Sequence, residues 1–204
     1  MPASNLKVLV TVSRTEGIRE VLKRLAFRFL RVHTFIVYRL QWSRALPEGK
    51  IPAGLEFREV GRDELNELRR DRSDLPEYFY RDLNDEAAGR CWVALENGRL
   101  GFVTWVSHRG SSGLVRIGSG EAELAYIYCL KELRGKHLST NAVLVIARTL
   151  AQEGTTSLLA AVNSLNAAMN KSFLACGFVK VGSIRRFFGL FTWPRPPVDF
   201  SNVA

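Results

Sequence analysis

What this chain has little of narrows it first. Cysteine is scarce: three among 204 residues, at Cys91, Cys129 and Cys176. An odd count so widely spaced suggests neither a disulfide framework nor a zinc site. His33, His108 and His137 show no metal-ligand spacing, so no metal is expected in the chemistry. No uninterrupted apolar stretch approaches the length of about 18 residues that a membrane-crossing helix needs. The opening MPASNLKVLVTV lacks a signal peptide's order of basic, long apolar and small-residue regions, so the expected compartment is reducing cytoplasm. Repeats and low-complexity tracts are absent. With 47% hydrophobic and 24% charged residues, the composition is that of a globular chain able to bury a core.

Acidic residues are short at one end only. Residues 1–50 hold 10 Lys+Arg and 3 Asp+Glu, a net of +7, and the remaining 19 and 17 leave +2 for residues 51–204. Ile18, Val21, Leu22, Leu25, Phe29 and Val32 recur at helical spacing, with Arg19, Lys23, Arg24, Arg28 and Arg31 on the flanks and far side. This spacing predicts a basic amphipathic helix over about 16–32. Such a face suits an anionic membrane surface, nucleic acid or a phosphorylated ligand, or it is simply solvated. Nucleic acid is the least expected, because no aromatic platform is interleaved with the basic side chains. HTFIVYRLQW reads as a strand, and the Pro- and Gly-bearing SRALPEGKIPAG reads as a linker. The expected division is therefore an arm over 1–54, a domain over 55–192 and a tail over 193–204.

From Leu55 the elements alternate. LEFREV is a short strand, and RDELNELRR a helix with an acidic first turn and a basic last turn. CWVALENGRLGFVTWVSH is a hairpin turning on Asn97-Gly98. EAELAYIYCL is a strand, followed after Arg134-Gly135 by a long helical pattern that Gly154 closes. TTSLLAAV is a buried strand, NAAMNKSFLACGF a helix ending at Gly177, and FVKVG and RRFFGLFTW two further strands. The order predicts an α/β (mixed α+β) domain: a central, mostly antiparallel sheet flanked by helices, with one right-handed crossover.

The segment AYIYCLKELRGKHLSTNAVLV carries the most chemistry. A strand runs through a short loop into a helix N-terminus, whose free N–H groups and dipole favour an anion. Arg134 and Lys136 add positive charge, Gly135 lets a ligand come close to the backbone, and Ser139 and Thr140 offer hydroxyls. A plain turn before a helix has the same appearance, so this block alone is a weak signal.

Two blocks together carry more. Arg134-Gly135-Lys136-His137-Leu138-Ser139 resembles the Q/R-x-x-G-x-G/A pyrophosphate loop of the GNAT superfamily of acyl-CoA-dependent N-acyltransferases. Asn166 through Gly177-Phe178 resembles that family's later N-x(10)-G-F block. The likeness covers about residues 55–192 and leaves the basic arm outside. His137 stands where the family loop normally has its second glycine, and Ser139 where Gly or Ala is usual. Phe173 stands where many members have a tyrosine proposed as general acid, a role phenylalanine cannot fill.

The resemblance implies that acetyl-CoA or another acyl-CoA donates its acyl group to a primary amine, most simply a small molecule. Ile127 and Cys129 would pair with pantetheine through their backbone, and an N–H near Cys129 would support the oxyanion. Arg134, Gly135, Lys136, His137, Leu138, Ser139 and Thr140 would hold the diphosphate, with Asn166 beside the cofactor and capping its own helix. Glu123, eleven residues before Arg134, matches the glutamate used as base in the histone-acetylating branch. Glu121, on the same face of an alternating strand, is its reserve. Tyr126, with Tyr128 or water as alternatives, would protonate the leaving thiolate. On simple alternation Tyr126 and Tyr128 face away from Glu123 and could equally be core. Tyr78 and Tyr80 fall where the acceptor is lined, and the arm could cover that cleft, form a homodimer contact or lie on an anionic inner membrane face. Two alternatives stay open: a longer acyl chain delivered by an acyl carrier protein, and a non-catalytic protein that binds CoA or a partner.

Overall fold

The computed structural model describes residues 32–42, 46–70, 72, 74–76, 79–80, 89–108, 114–187, 191–194 and 198–200. The helix expected over about 16–32 (Val32 apart), Tyr78 and the turn expected at 109–113 lie outside these residues. The described strands are β1 (His33–Gln41), β2 (Leu55–Val60), β3 (Arg90–Glu96), β4 (Arg99–Ser107), β5 (Glu121–Cys129), β6 (Ser157–Asn163), β7 (Val179–Phe187) and β8 (Phe191–Trp193). The helices are α1 (Arg62–Arg69), α2 (Leu138–Gln152) and α3 (Ala167–Ala175). The strands form one sheet in the order β2-β3-β4-β5-β6-β1-β7-β8. Every pairing between these strands is antiparallel except β5–β6, the pair that α2 connects.

Two layers of side chains cover this sheet. On one face, Val143, Leu144, Ile146, Ala147 and Leu150 of α2 and Phe173 of α3 pack on Tyr38, Leu40, Val106, Leu124, Leu158 and Ala160. Side chains buried this way contribute roughly 1.5–3 kcal/mol each, so packing fixes α2 far more firmly than its end contacts can. On the other face, Leu65 of α1 joins Val60, Val93, Val103 and Trp105. Asn97 (φ 52°) and Gly98 (φ 74°) are both left-handed, the geometry a two-residue hairpin loop demands.

Two expectations need correction. The strand HTFIVYRLQW was assigned to the arm, yet β1 lies inside the sheet, paired with β6 from Phe35↔Asn163 to Gln41↔Ser157 and with β7 on its other side. Its alternation explains why: Val37 and Arg39 face one layer while Tyr38 and Leu40 face the other, and all four are buried. Residues on both sides of the expected linker thus build one sheet. FVKVG and RRF likewise form the single strand β7, which runs through Gly182 with a one-residue bulge beside it. A Cβ at Gly182 would lie 2.3 Å from Cε1 of Phe200, so this glycine makes room for a ring.

Candidate functional site

The site begins where β5 leaves β6. Their parallel pairing is confined to Glu121↔Ser157, Ala122↔Leu158 and Glu123↔Leu159. Beyond it a bulge bends β5: Trp105 faces Ala125, but Val103 faces Tyr128, so β5 spends one extra residue there. Tyr126 absorbs the irregularity with φ 52°. The fully buried Thr104 donates its Oγ1–H to the Ala125 carbonyl at 3.1 Å, meeting a polar group that the broken ladder would otherwise strand.

The bulge also changes which side chains share a face. Residues opposite one another across an antiparallel pair project to the same side. Glu123 faces Ser107, Ala125 faces Trp105 and Tyr128 faces Val103, and these three β4 positions alternate regularly. Tyr128 therefore lies on the face of Glu123, and Tyr126 joins it, its ring edge-on to Trp105 at 6.1 Å. This overturns the expectation from simple alternation. One inserted residue moved both tyrosines to the carboxylate's side.

Past the bulge, Leu130 N–H donates to the Gly101 carbonyl of β4 at 2.9 Å. By alternation, the N–H and C=O groups of Cys129 and Ile127 point away from β4, toward the opening. A cleft of about 690 Å³ fills that opening, lined by Ile127, Tyr128 and Cys129 on one side and by Asn166, Met169 and Ser172 on the other. Arg134, Gly135, His137, Leu138, Ser139 and Thr140 line its far end.

That end is a cradle of open amides. A short 3-10 turn, Lys131–Leu133, and the turn 134–137 lead into α2. No side chain caps α2, and among the described residues the N–H groups of 135–140 meet no backbone acceptor. A missing cap costs about 1 kcal/mol, which the packing of α2 readily offsets, and it leaves the donors turned outward. Gly135 has φ 79°, with nothing within 4 Å of where a Cβ would stand. His137, the N-cap residue, has φ 55° and is exposed, so it keeps a glycine-like backbone while carrying an imidazole. Left-handed histidine is uncommon and costs about 1 kcal/mol. His137→Gly should therefore raise stability by about 0.5–1 kcal/mol in denaturant titration and leave CoA affinity within threefold. A tenfold loss of affinity would mean that the imidazole, not the amides, holds the ligand.

The other expected residues divide. The side chain of Asn166 accepts from Met169 N–H at 3.2 Å, the cap that was expected. Arg134 turns its Nε to the Cys129 carbonyl at 3.0 Å, tying the cradle to the end of β5. Lys136 is not among the lining residues and faces Glu96 at 3.6 Å. Tyr80 is committed to packing: its hydroxyl donates to the Arg72 carbonyl at 3.2 Å and the Arg69 guanidinium lies 5.3 Å from its ring centroid. Its neighbour Phe79 lines the cleft instead. Phe173 is buried, stacked on Tyr38 at 5.7 Å and edge-on to Phe178 at 4.6 Å.

Burial pushes the Cys129 thiol up to about 11, with Arg134 opposing and Glu132 adding to the shift. At neutral pH the reactive thiolate is a fraction on the order of 10⁻⁴, so this thiol is a poor acyl acceptor. Glu123 is 1% exposed, in the sheet beside buried Ser107. Glu121 is tied into the structure: it accepts from Ser157 Oγ at 2.8 Å and from Gly118 N–H at 2.9 Å, and lies 3.4 Å from Arg39. That removes it as a reserve base. Among the described residues no group of acidic, histidine and cysteine side chains could hold a metal ion, and no helix is long and apolar enough to cross a membrane.

Comparison with known proteins adds independent findings. The sequence model of the acetyltransferase (GNAT) family matches residues 58–178. No curated protein matches. Among solved structures, a GCN5-related N-acetyltransferase from Sphaerobacter thermophilus is 15% identical over 88% of this chain and 58% of its own, with a TM-score of 0.57. A GCN5-related glucosamine N-acetyltransferase region of a fungal multi-domain GH3 β-N-acetylglucosaminidase is 17% identical over 82% of this chain and 22% of its own, with a TM-score of 0.57. A tandem GNAT protein from the clavulanic acid biosynthesis pathway is 17% identical over 82% and 56%, with a TM-score of 0.56. The chain thus spans less than two thirds of these three, and at such identities the likeness is one of fold.

Proposed function

We propose that this chain, which belongs to the acetyltransferase (GNAT) family, moves an acyl group, most simply acetyl, from coenzyme A to a primary amine by direct attack. The observation that carries the reading is the cleft itself: an outward cradle of amides at one end and a strand edge leading from it to the bulge in β5. The residues present fit the cofactor. Amides 135–140 suit a diphosphate without needing side-chain cations, and Gly135 leaves space for its approach. The cleft-facing backbone of Cys129 and Ile127 suits the amides of pantetheine, added as one more strand. Bound there, coenzyme A supplies an activated thioester.

The rest is done by the chain's own groups. The N–H of Ile127, the first beyond the bulge to face the cleft, donates to the carbonyl oxygen as charge builds on it. Glu123 accepts the proton of the incoming amine. Because it is enclosed, the proton reaches it through intervening water. Tyr128, which lines the cleft, returns a proton to the thiolate; Tyr126 packs on Trp105 behind it. A thiolate is a weak base compared with an alkoxide, so the loss of the tyrosine that Phe173 replaces is tolerable. The high thiol pKa of Cys129 supports direct attack over an acyl-cysteine route.

A small amine is the acceptor we favour, in keeping with the fungal glucosamine N-acetyltransferase region of similar fold. The reaction would run in the cytoplasm. The basic N-terminal segment could also bring the protein to an anionic membrane face or to a second copy. Purified protein should release free thiol from acetyl-CoA in the presence of a panel of small primary amines. Tight CoA binding with no thiol release from acetyl-, longer acyl- or carrier-bound donors would replace this reading with a binding protein.

A further inference from the structure

A buried arginine stands in one row with the proposed base, a strand removed from it, and it comes from outside the family match. Arg39 of β1 is 3% exposed, and burying a guanidinium is costly unless carboxylates surround it. Its Nη2 lies 3.4 Å from Glu121 Oε1. The register sets a second neighbour. Arg39 pairs with Leu159, and Leu159 pairs with Glu123, so the three stand in one row across β1, β6 and β5. All three project to the face that carries Val37 and Val181. Glu121 is two residues before Glu123 on that face, a rise of about 7 Å. Arg39 starts level with Glu123 in this row, and its guanidinium reaches along the strands to Glu121.

We propose that Arg39 is a positioning residue for the proposed base: its charge, reaching across Leu159, keeps the Glu123 carboxyl ionised and aimed along the strand. This rests on the reading of Glu123 as the base. Among the described residues, the charged or titratable groups that share this face with Glu123 include Arg39, Glu121, Tyr126 and Tyr128. Ser107 and Leu159 are its neighbours in register on the adjoining strands. Arg39 adds a fixed positive charge to this face, so its removal leaves a buried carboxylate with less support for its charge.

The test is direct titration of the Glu123 carboxyl by carbon NMR in the full chain labelled with ¹³C-glutamate, the signal being assigned by its loss in E123Q. In R39M the midpoint should rise by about one pH unit or more, and in R39K it should stay within about half a unit. An unchanged midpoint in folded R39M, or a rise in R39K as large as in R39M, overturns the proposal. Should R39M fail to fold, E121M with and without R39M makes the same comparison, because replacing a buried pair together strands no charge. Adding R39M to E121M must again raise the midpoint, and no change would overturn the proposal. Turnover of E123Q across an amine panel tests the base reading separately, because the titration needs no acceptor.

Discussion

Glu123→Gln should slow turnover by about 10²–10³-fold at pH 7 while CoA affinity stays within twofold. The exchange is nearly isosteric, and the side chain faces away from the layer that packs α2, so the fold should persist. The pH dependence separates a base from a bystander. A primary amine with an ordinary pKa near about 10.4 is almost wholly protonated at pH 7, and the wild-type carboxylate takes up that proton. Without it, turnover should follow the free amine and climb close to tenfold per pH unit. The gap between the proteins should thus narrow to a few-fold near pH 10. A gap of constant size from pH 6.5 to 10 would mean that Glu123 acts on structure and not on the proton.

Ser139→Asp should move binding and stability in opposite directions. Ser139 lies in the first turn of α2 and lines the cleft end where the open amides gather. An added carboxylate there meets the positive end of the helix dipole and should stabilise the fold by about 0.3–1 kcal/mol. The same charge, about 5 Å from a diphosphate, should weaken CoA binding by about 10²-fold at low salt, less as salt rises. Calorimetric titration with CoA beside a thermal melt reads both quantities. Undiminished affinity in a protein that melts higher would place the diphosphate elsewhere and leave the cradle without its role.

Much of this architecture is legible in the sequence because it is locally determined. Asn97-Gly98 takes the one turn its left-handed angles allow, Asn166 caps the helix it precedes, and α2 follows its apolar spacing. The bulge in β5 is another matter. No glycine or proline marks it; Tyr126 takes a left-handed angle that its neighbours impose, and Thr104 on another strand meets the carbonyl it exposes. Alternation therefore put Tyr126 and Tyr128 on the wrong side, though the same alternation placed Glu121 and Glu123 together. Gly182 misled for a related reason. A glycine that admits a ring from residue 200 looks, in sequence, like one that ends a strand. The place of β1 is hidden most deeply, since its partners β6 and β7 lie more than a hundred residues further along.

That strand has a consequence for where this molecule ends as a working unit. The family match begins at residue 58, yet β1 is the plank between β6 and β7. A chain trimmed to the matching stretch would lose β1, β7 and β8 together, and β6 would become an open rail of unmet hydrogen bonds ready to borrow a strand from any passing neighbour. It would also have lost Arg39, whose guanidinium lies 3.4 Å from Glu121. The strand β1, read from sequence as part of an arm, is a keystone of the sheet.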